Sequence, residues 1–191
     1  MPITKIHQWL EREKKLGSQF PDRMVLATAG KNAIPHCRIV AIREITTKGI
    51  LFFTQRGTRK TVEMSENPHA SMTCWLPLQQ REIMIDGVIE PLEPQENDYY
   101  WSLRPKDRQL KFSAYAPTSG QSIASLAELE VRFAELSSQY QNRDVPMSDY
   151  YCGYRLIPHT IIFYTLDDDY FSEIIKFTYD KRVWQQQLLS P

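Results

Sequence analysis

The sequence predicts a mainly β protein with helical additions, built as a small, closed or nearly closed antiparallel barrel. Three observations predict it. Short apolar and β-branched runs follow one another closely, at Met24–Ala29, Pro35–Ile45 and Ile50–Thr54. The links between them, Gly30-Lys31-Asn32 and Thr46 to Gly49, are far too short for a parallel crossover, so these strands pair as antiparallel hairpins. No helix separates the early strands and no G-x-G-x-x-G occurs, which disfavours a parallel nucleotide-binding sheet.

Each element follows from local pattern. Ile6, Trp9, Leu10 and Leu16 recur at helical spacing until Gly17 and Pro21 break the run, so residues 1–20 form an amphipathic N-terminal helix and not a signal peptide. After Thr54 comes a polar, basic loop, Gln55 to Lys60, then a short helix Lys60–Glu66 ended by Asn67-Pro68. Ala70–Leu76 and Arg81–Leu92 are strands. Pro94–Leu103 and Lys106–Tyr115 are short helices. Ser122–Tyr140 is the clearest helix, with Ile123, Leu126, Leu129, Val131, Phe133 and Leu136 on its apolar face. Tyr150–Leu156, Thr160–Leu166, Tyr170–Tyr179 and Val183–Leu189 complete the β content, with Asp167-Asp168-Asp169 as a polar hairpin loop.

The 191 residues fit a single domain, 1–191, and 42% hydrophobic with 24% charged residues is ordinary for a globular chain. A formal net charge of +0 gives no sign of a nucleic-acid partner. No segment has the roughly 18 apolar residues of a membrane helix. Cys37, Cys74 and Cys152 are far apart and odd in number, which suits free thiols in a reducing compartment. The expected location is the cytoplasm. His7, His36, His69 and His159 lack metal-ligand spacing, so no metal site is expected.

The chemistry gathers in two basic segments. Thr54-Gln55-Arg56-Gly57-Thr58-Arg59-Lys60 ends a hydrophobic strand with three cations, two hydroxyls and a glycine. Gly57 allows a tight turn and close ligand approach. Thr58 is placed to cap the following helix, whose N-terminus suits a phosphate. Arg59 offers a two-pronged donor and Lys60 a compact charge. In Arg38-Ile39-Val40-Ala41-Ile42-Arg43, two arginines sit on opposite faces of an apolar strand. An arginine turned toward the barrel needs an anion: Glu44 or Asp86 within the chain, or a phosphorylated ligand.

These segments, R-I-V-x-x-[KR] followed about fifteen residues later by F-[FY]-T-x-x-G-[ST]-R-K, resemble the pyridoxamine 5'-phosphate oxidase family. So do Arg81-Glu82-Ile83-Met84-Ile85, Tyr100 with Arg104-Pro105, Gln121-Ser122, Gly153-Tyr154-Arg155 and a C-terminal W-x-x-x-x-L-x-P ending at Pro191. The resemblance implies an FMN-binding split barrel that works as a homodimer, with FMN at the subunit interface and residues from about 150 to 191 in dimerisation. It assigns Arg38, Arg59, Lys60, Gln121 and Ser122 to the FMN phosphate and nearby groups. It assigns Ile39, Val40, Ala41, Ile42, Phe53 and Thr54 to the lining of the flavin, with Glu82 and Tyr164 beside it. Arg43 stands where a lysine contacts flavin and substrate, and Tyr100, Arg104 and Arg108 fall at substrate positions. No residue is singled out as catalytic.

Departures from the family pattern concentrate at the substrate side. The C-terminal R-L-H-x-R becomes Tyr170-Phe171-Ser172-Glu173-Ile174. A serine becomes Arg108, a glutamine becomes Glu82 and a tryptophan becomes Tyr164. The expectation is an FMN-dependent oxidase of a small molecule, with oxygen as acceptor and an altered substrate site. The alternatives are a true pyridoxamine/pyridoxine phosphate oxidase that makes pyridoxal phosphate, a flavin-binding module without turnover, and a barrel that has lost its flavin.

Overall fold

The computed structural model describes residues 1–167 and 169–191. Helix α1 (Pro2–Lys15) is followed by strands β1 (Arg23–Ala29), β2 (Pro35–Thr46) and β3 (Gly49–Gln55), then α2 (Arg59–Glu66), β4 (His69–Leu76) and β5 (Arg81–Pro91). Helices α3 (Pro94–Ser102) and α4 (Lys106–Tyr115), a 3-10 turn (Ala116–Thr118) and α5 (Ala127–Gln139) precede β6 (Tyr151–Thr165), β7 (Glu173–Asp180) and β8 (Val183–Leu189). The chain divides into two compact units. One comprises residues 1–53, 63–90 and 154–191, the other residues 54–62 and 91–153.

In the first unit the strands run β3-β2-β1-β4-β5-β6, and β6 pairs back with β3, closing an antiparallel six-stranded barrel. Closure removes the exposed strand edges that an open sheet would leave. Beyond β6, β7 and β8 extend the sheet as an antiparallel ribbon. Alternation sets the core: Met24, Leu26, Val40, Ile42, Met72, Ile83 and Ile85 point inward and are buried. Pro2 starts α1, where its missing N–H costs nothing. Ile6 and Trp9 bury the helix against the barrel, and Trp9 meets Phe163 edge-on at 5.0 Å. The buried Glu13 carboxylate accepts hydrogen bonds from the Leu78 N–H (3.1 Å) and Gln79 Nε2 (2.9 Å), so its charge is satisfied in place. Gly87 permits a close approach of β5 to β6, since a Cβ there would strike the Ile157 carbonyl.

The second unit centres on Trp101, Phe112 and Tyr151, whose rings meet edge-on at 5.0 to 5.8 Å. Trp101 donates to the Val145 carbonyl (3.0 Å), so its polar edge is not left unpaired.

Four boundaries differ from the sequence expectation. Helix α1 ends at Lys15 and not near residue 20, and Gly17 follows it at φ +110°. The long helix begins at Ala127 and not at Ser122, because the Glu128 carboxylate reaches back to the Ala124 N–H (3.1 Å). None of its apolar residues is buried. The two strands expected over 150–166 are one, β6, which runs through Pro158. Strand β7 begins at Glu173 and not at Tyr170. The Asp167 side chain accepts the Asp169 and Tyr170 N–H groups (3.0 Å each), and this local turn takes Tyr170 out of the ladder. Of the polar loop expected at Asp167–Asp169, Asp168 lies outside the described residues.

Candidate functional site

Strand β2 sorts its residues by face. Arg38, Val40 and Ile42 turn inward, while Cys37, Ile39, Ala41 and Arg43 turn outward. The register passes from Ile42↔Phe52 to Glu44↔Leu51, so Arg43 is the extra residue of a β-bulge. A bulge re-aims a side chain and is a common device beside functional sites. Arg43 is exposed.

Arg38 finds its anion in Glu63 of α2, and neither in Glu44 nor in Asp86. The guanidinium donates to Thr28 Oγ1 (2.5 Å) and the Leu26 carbonyl (3.3 Å), and lies 3.3 Å from Glu63 Oε2. Glu63 also accepts from Thr28 (2.5 Å) and pairs with His36 Nδ1 at 2.6 Å. Burial alone pushes the Glu63 carboxyl up. The hydrogen bonds from Thr28 and His36 and the charges of His36 and Arg38 outweigh it and hold the group below its ordinary value. Of the carboxylates weighed from sequence, Glu44 lies 4.0 Å from Arg155 and Asp86 accepts from Ser71 (2.5 Å). Glu63 and Thr28 were not legible as partners of Arg38, since they come from two other elements.

The outward face of β2 continues over β1, β4 and β5. Cross-strand register aligns Ile39, Val25, Thr73 and Met84 in one row, and Cys37, Ala27, Ser71 and Asp86 in the next. Ile39 is 69% exposed and Trp75 48% exposed on this face, which is otherwise rich in small side chains. Glu82 accepts from Thr73 Oγ1 (2.7 Å). Val40 and Ile42 belong to the barrel side and are buried, while half-buried Phe53 follows the inward-facing Phe52 and so faces the other way.

At the far side of β6, three departures from the family pattern lie together. Tyr164 pairs across the ladder with Ile174, and its hydroxyl donates to Ser172 Oγ (3.1 Å). Ser172 also accepts the Asp167 N–H (3.3 Å). Phe171, Ser172 and Glu173 line a cavity of about 510 Å³ with Leu188, Leu189 and the C-terminal residues. Tyr170 stands out, 75% exposed.

In the second unit, the basic loop is braced by its own backbone. Arg56 donates through its N–H to the Tyr150 carbonyl (2.8 Å) and through Nε to the Asp149 carbonyl (3.3 Å). Gln55 accepts from Ser119 (3.4 Å) and donates to the Tyr115 hydroxyl (3.1 Å). Thr58 does not cap α2 with its side chain: its hydroxyl turns back to the Gln55 carbonyl (2.8 Å) and accepts from Lys60 Nζ (3.4 Å). Gly57 adopts φ +81°, with open space where a Cβ would lie. Arg59, the first residue of α2, is exposed and has no ion pair among the described residues. Thr54 is buried, while Gln121 and Ser122 are exposed.

Arg104 lies over the rings of Phe112 and Tyr151, at 5.6 and 5.7 Å. Its Nε is buried with no hydrogen-bond partner among the described residues. Such a donor is costly unless a ligand completes it. Tyr100 is half-buried on α3, and Arg108 is exposed, 3.8 Å from its neighbour Asp107.

The family model for pyridoxamine 5'-phosphate oxidase matches residues 15–140. The chain belongs to the pyridoxamine 5'-phosphate oxidase family. Pyridoxine/pyridoxamine 5'-phosphate oxidase of Alteromonas mediterranea is 34% identical, over all of this chain and 89% of that protein. The protein of the same name from Vibrio campbellii is 31% identical, with the same coverage. PhzG from Burkholderia lata 383, solved in complex with tetrahydrophenazine-1-carboxylic acid, superposes with a TM-score of 0.88 at 28% identity, covering 100% of this chain and 92% of that one. A pyridoxamine 5'-phosphate oxidase-related, FMN-binding protein from Nostoc punctiforme shares the fold, with a TM-score of 0.79 at 15% identity over 98% and 96% of the two chains.

The residues present fit the flavin that this oxidase family binds. A phosphate needs cations that the protein has not already neutralised, and Arg59 at a helix N-terminus beside an open glycine turn is one. A flat ring needs an apolar face without tall side chains, and in the first unit Ala27 of β1 and Ile39 and Ala41 of β2 lie on the same outward face.

Proposed function

We propose that the chain is an FMN-dependent oxidase of a small, acidic molecule, with oxygen as final electron acceptor, and that it works as a homodimer. The observation behind the FMN reading is Arg59: an exposed guanidinium on the first turn of α2, in a loop whose other two cations already have partners within the chain. FMN, when bound, supplies a two-electron acceptor that the amino acids lack.

The chain's own residues have separate tasks. Arg59 and Lys60 neutralise the phosphate, helped by the N–H groups that open α2. Ile39 and Ala41 offer the flat surface, and Arg43 projects from its bulge toward ligand. Gln121, Ser122, Glu82 and Tyr164 are the further cofactor contacts that the family resemblance supports. Arg104 offers its unsatisfied Nε to an acidic group of the substrate, with Tyr100 and Arg108 as neighbours in sequence. A second copy covering the β2-β1-β4-β5 face would remove Ile39 and Trp75 from water, which supports the dimer.

Tyr170, Ser172 and Ile174 replace an arginine, a histidine and an arginine, so the substrate differs from the phosphorylated vitamin. The complex of PhzG with a tricyclic carboxylic acid supports an aromatic acid in its place. The relatives named pyridoxine/pyridoxamine 5'-phosphate oxidase favour the second reading, a true vitamin B6 enzyme in which Arg108 replaces the lost contacts.

Oxygen consumption by the FMN-loaded protein tests both. Turnover of tetrahydrophenazine-1-carboxylic acid with slow turnover of pyridoxamine 5'-phosphate is the expected result. Fast turnover of pyridoxamine 5'-phosphate alone supports the second reading. A protein that stays colourless after incubation with FMN overturns both.

A further inference from the structure

Within the first unit, helix α1 and the start of β5 bring two cations to one aromatic ring. Lys5 Nζ lies 5.2 Å from the centre of the Trp9 ring and 4.9 Å from that of Phe163. The Arg81 guanidinium lies 4.6 Å from the centre of the same Trp9 ring. The ring attracts each cation, while the two cations repel one another. Trp9 is buried, and Lys5 and Arg81 are half-buried.

No carboxylate is paired with either cation. Neither Lys5 nor Arg81 has an ion pair among the described residues. Arg81 Nη1 donates to Gln79 Oε1 (3.3 Å), and its Nε is buried with no hydrogen-bond partner among the described residues. Exposed Arg12, about two turns on from Lys5 along α1, adds a third positive charge. Of the nearby acids, buried Glu13 already accepts the Leu78 N–H on one oxygen and Gln79 Nε2 on the other. Leu166 donates to the Gln80 carbonyl, but its neighbour Asp167 accepts the N–H groups of Asp169 and Tyr170. Exposed Glu173 of β7 is the acid that acts on both cations. It does not prevail: burial, with Arg81 beside it, pushes Lys5 below its ordinary value, and burial, with Arg12 beside it, does the same to Arg81. Three cations thus share one exposed carboxylate. A guanidinium fork beside an ammonium is a donor set suited to phosphate oxygens.

We propose that Lys5 and Arg81, with Arg12 at the edge, bind a phosphate group, free or as a monoester, beside α1 at the start of β5. The site uses none of the residues assigned to FMN or to the oxidase substrate, so the two readings fail separately.

Calorimetric titration of the full chain with inorganic phosphate and with glycerol 3-phosphate, at constant ionic strength, tests it. The titration is run at about pH 8, where a phosphate carries close to two charges, with FMN and without it. Binding should persist in the FMN-loaded protein, and the tighter of the two ligands identifies free ion or ester. Lys5→Gln and Arg81→Lys should each weaken binding about tenfold, the first by losing a charge and the second by losing the fork. Lys15→Gln, which removes the same charge elsewhere on α1, should leave binding unchanged. Circular dichroism confirms the fold of each variant. No heat with either ligand, equal loss in Lys15→Gln, indifference to Lys5→Gln and Arg81→Lys, or loss of all phosphate binding on FMN loading overturns the proposal.

Discussion

Half-buried Arg38 of β2 and buried Glu63 of α2 form an ion pair, 3.3 Å apart. Thr28 and His36 complete the carboxylate's shell. Breaking such a pair leaves an uncompensated charge, so Glu63→Ala should destabilise the protein by about 3 kcal/mol in denaturant unfolding. Glu63→Gln keeps the shape and two of the contacts and should cost less.

The same pair gives a pH dependence. Glu63 has a lowered pKa in the folded state, so the unfolded chain takes up its proton first as pH falls. Its stabilisation is fully present above the ordinary glutamate value of 4.5 and is lost as pH drops below it. Acid-unfolding curves of the parent should therefore fall as pH drops below 4.5, and the curve of Glu63→Gln should be flatter there.

Cys74 should resist thiol reagents. Burial, with Glu13 and Glu82 nearby, pushes its thiol up to about 11, so little thiolate forms at pH 8. Cysteine labelling followed by peptide mass analysis should find Cys74 unmodified in the native protein and modified in denaturant. Rapid labelling of the native chain would contradict this packing.

Gly87→Ala should cost about 2 kcal/mol or more, because the added methyl meets the backbone carbonyl of Ile157, which cannot swing aside. The midpoint of thermal unfolding reads it directly.

The substrate side predicts a gain of function. Tyr170→Arg with Ser172→His restores the two polar groups of the family pattern, and should raise kcat/KM for pyridoxamine 5'-phosphate at least about tenfold, or 1.4 kcal/mol. No gain would contradict the reading of Tyr170 and Ser172 as the positions where the vitamin contacts were lost.

The sequence made the barrel legible because its strands are short, alternate cleanly and are joined by turns that permit only hairpins. It also placed Arg38 and Arg43 on opposite faces, since parity along a strand needs no tertiary knowledge. What it could not reveal depends on contacts between distant segments. The anion of Arg38 comes from an acid 25 residues away, on a helix. Arg43 gains its projection from a register shift that has no marker in the sequence. Ile123 and Leu126 have helical spacing, yet the side chain of Glu128 starts the helix after them.

The most direct test of the account is fluorescence titration of FMN into Arg59→Ala, with thermal unfolding of the flavin-free protein measured alongside. The account predicts FMN affinity lower by about tenfold to a hundredfold, equivalent to losing one charge-assisted contact, with the unfolding midpoint almost unchanged. Unaltered affinity, or an equal loss of affinity and stability, would contradict a phosphate grip at the start of α2.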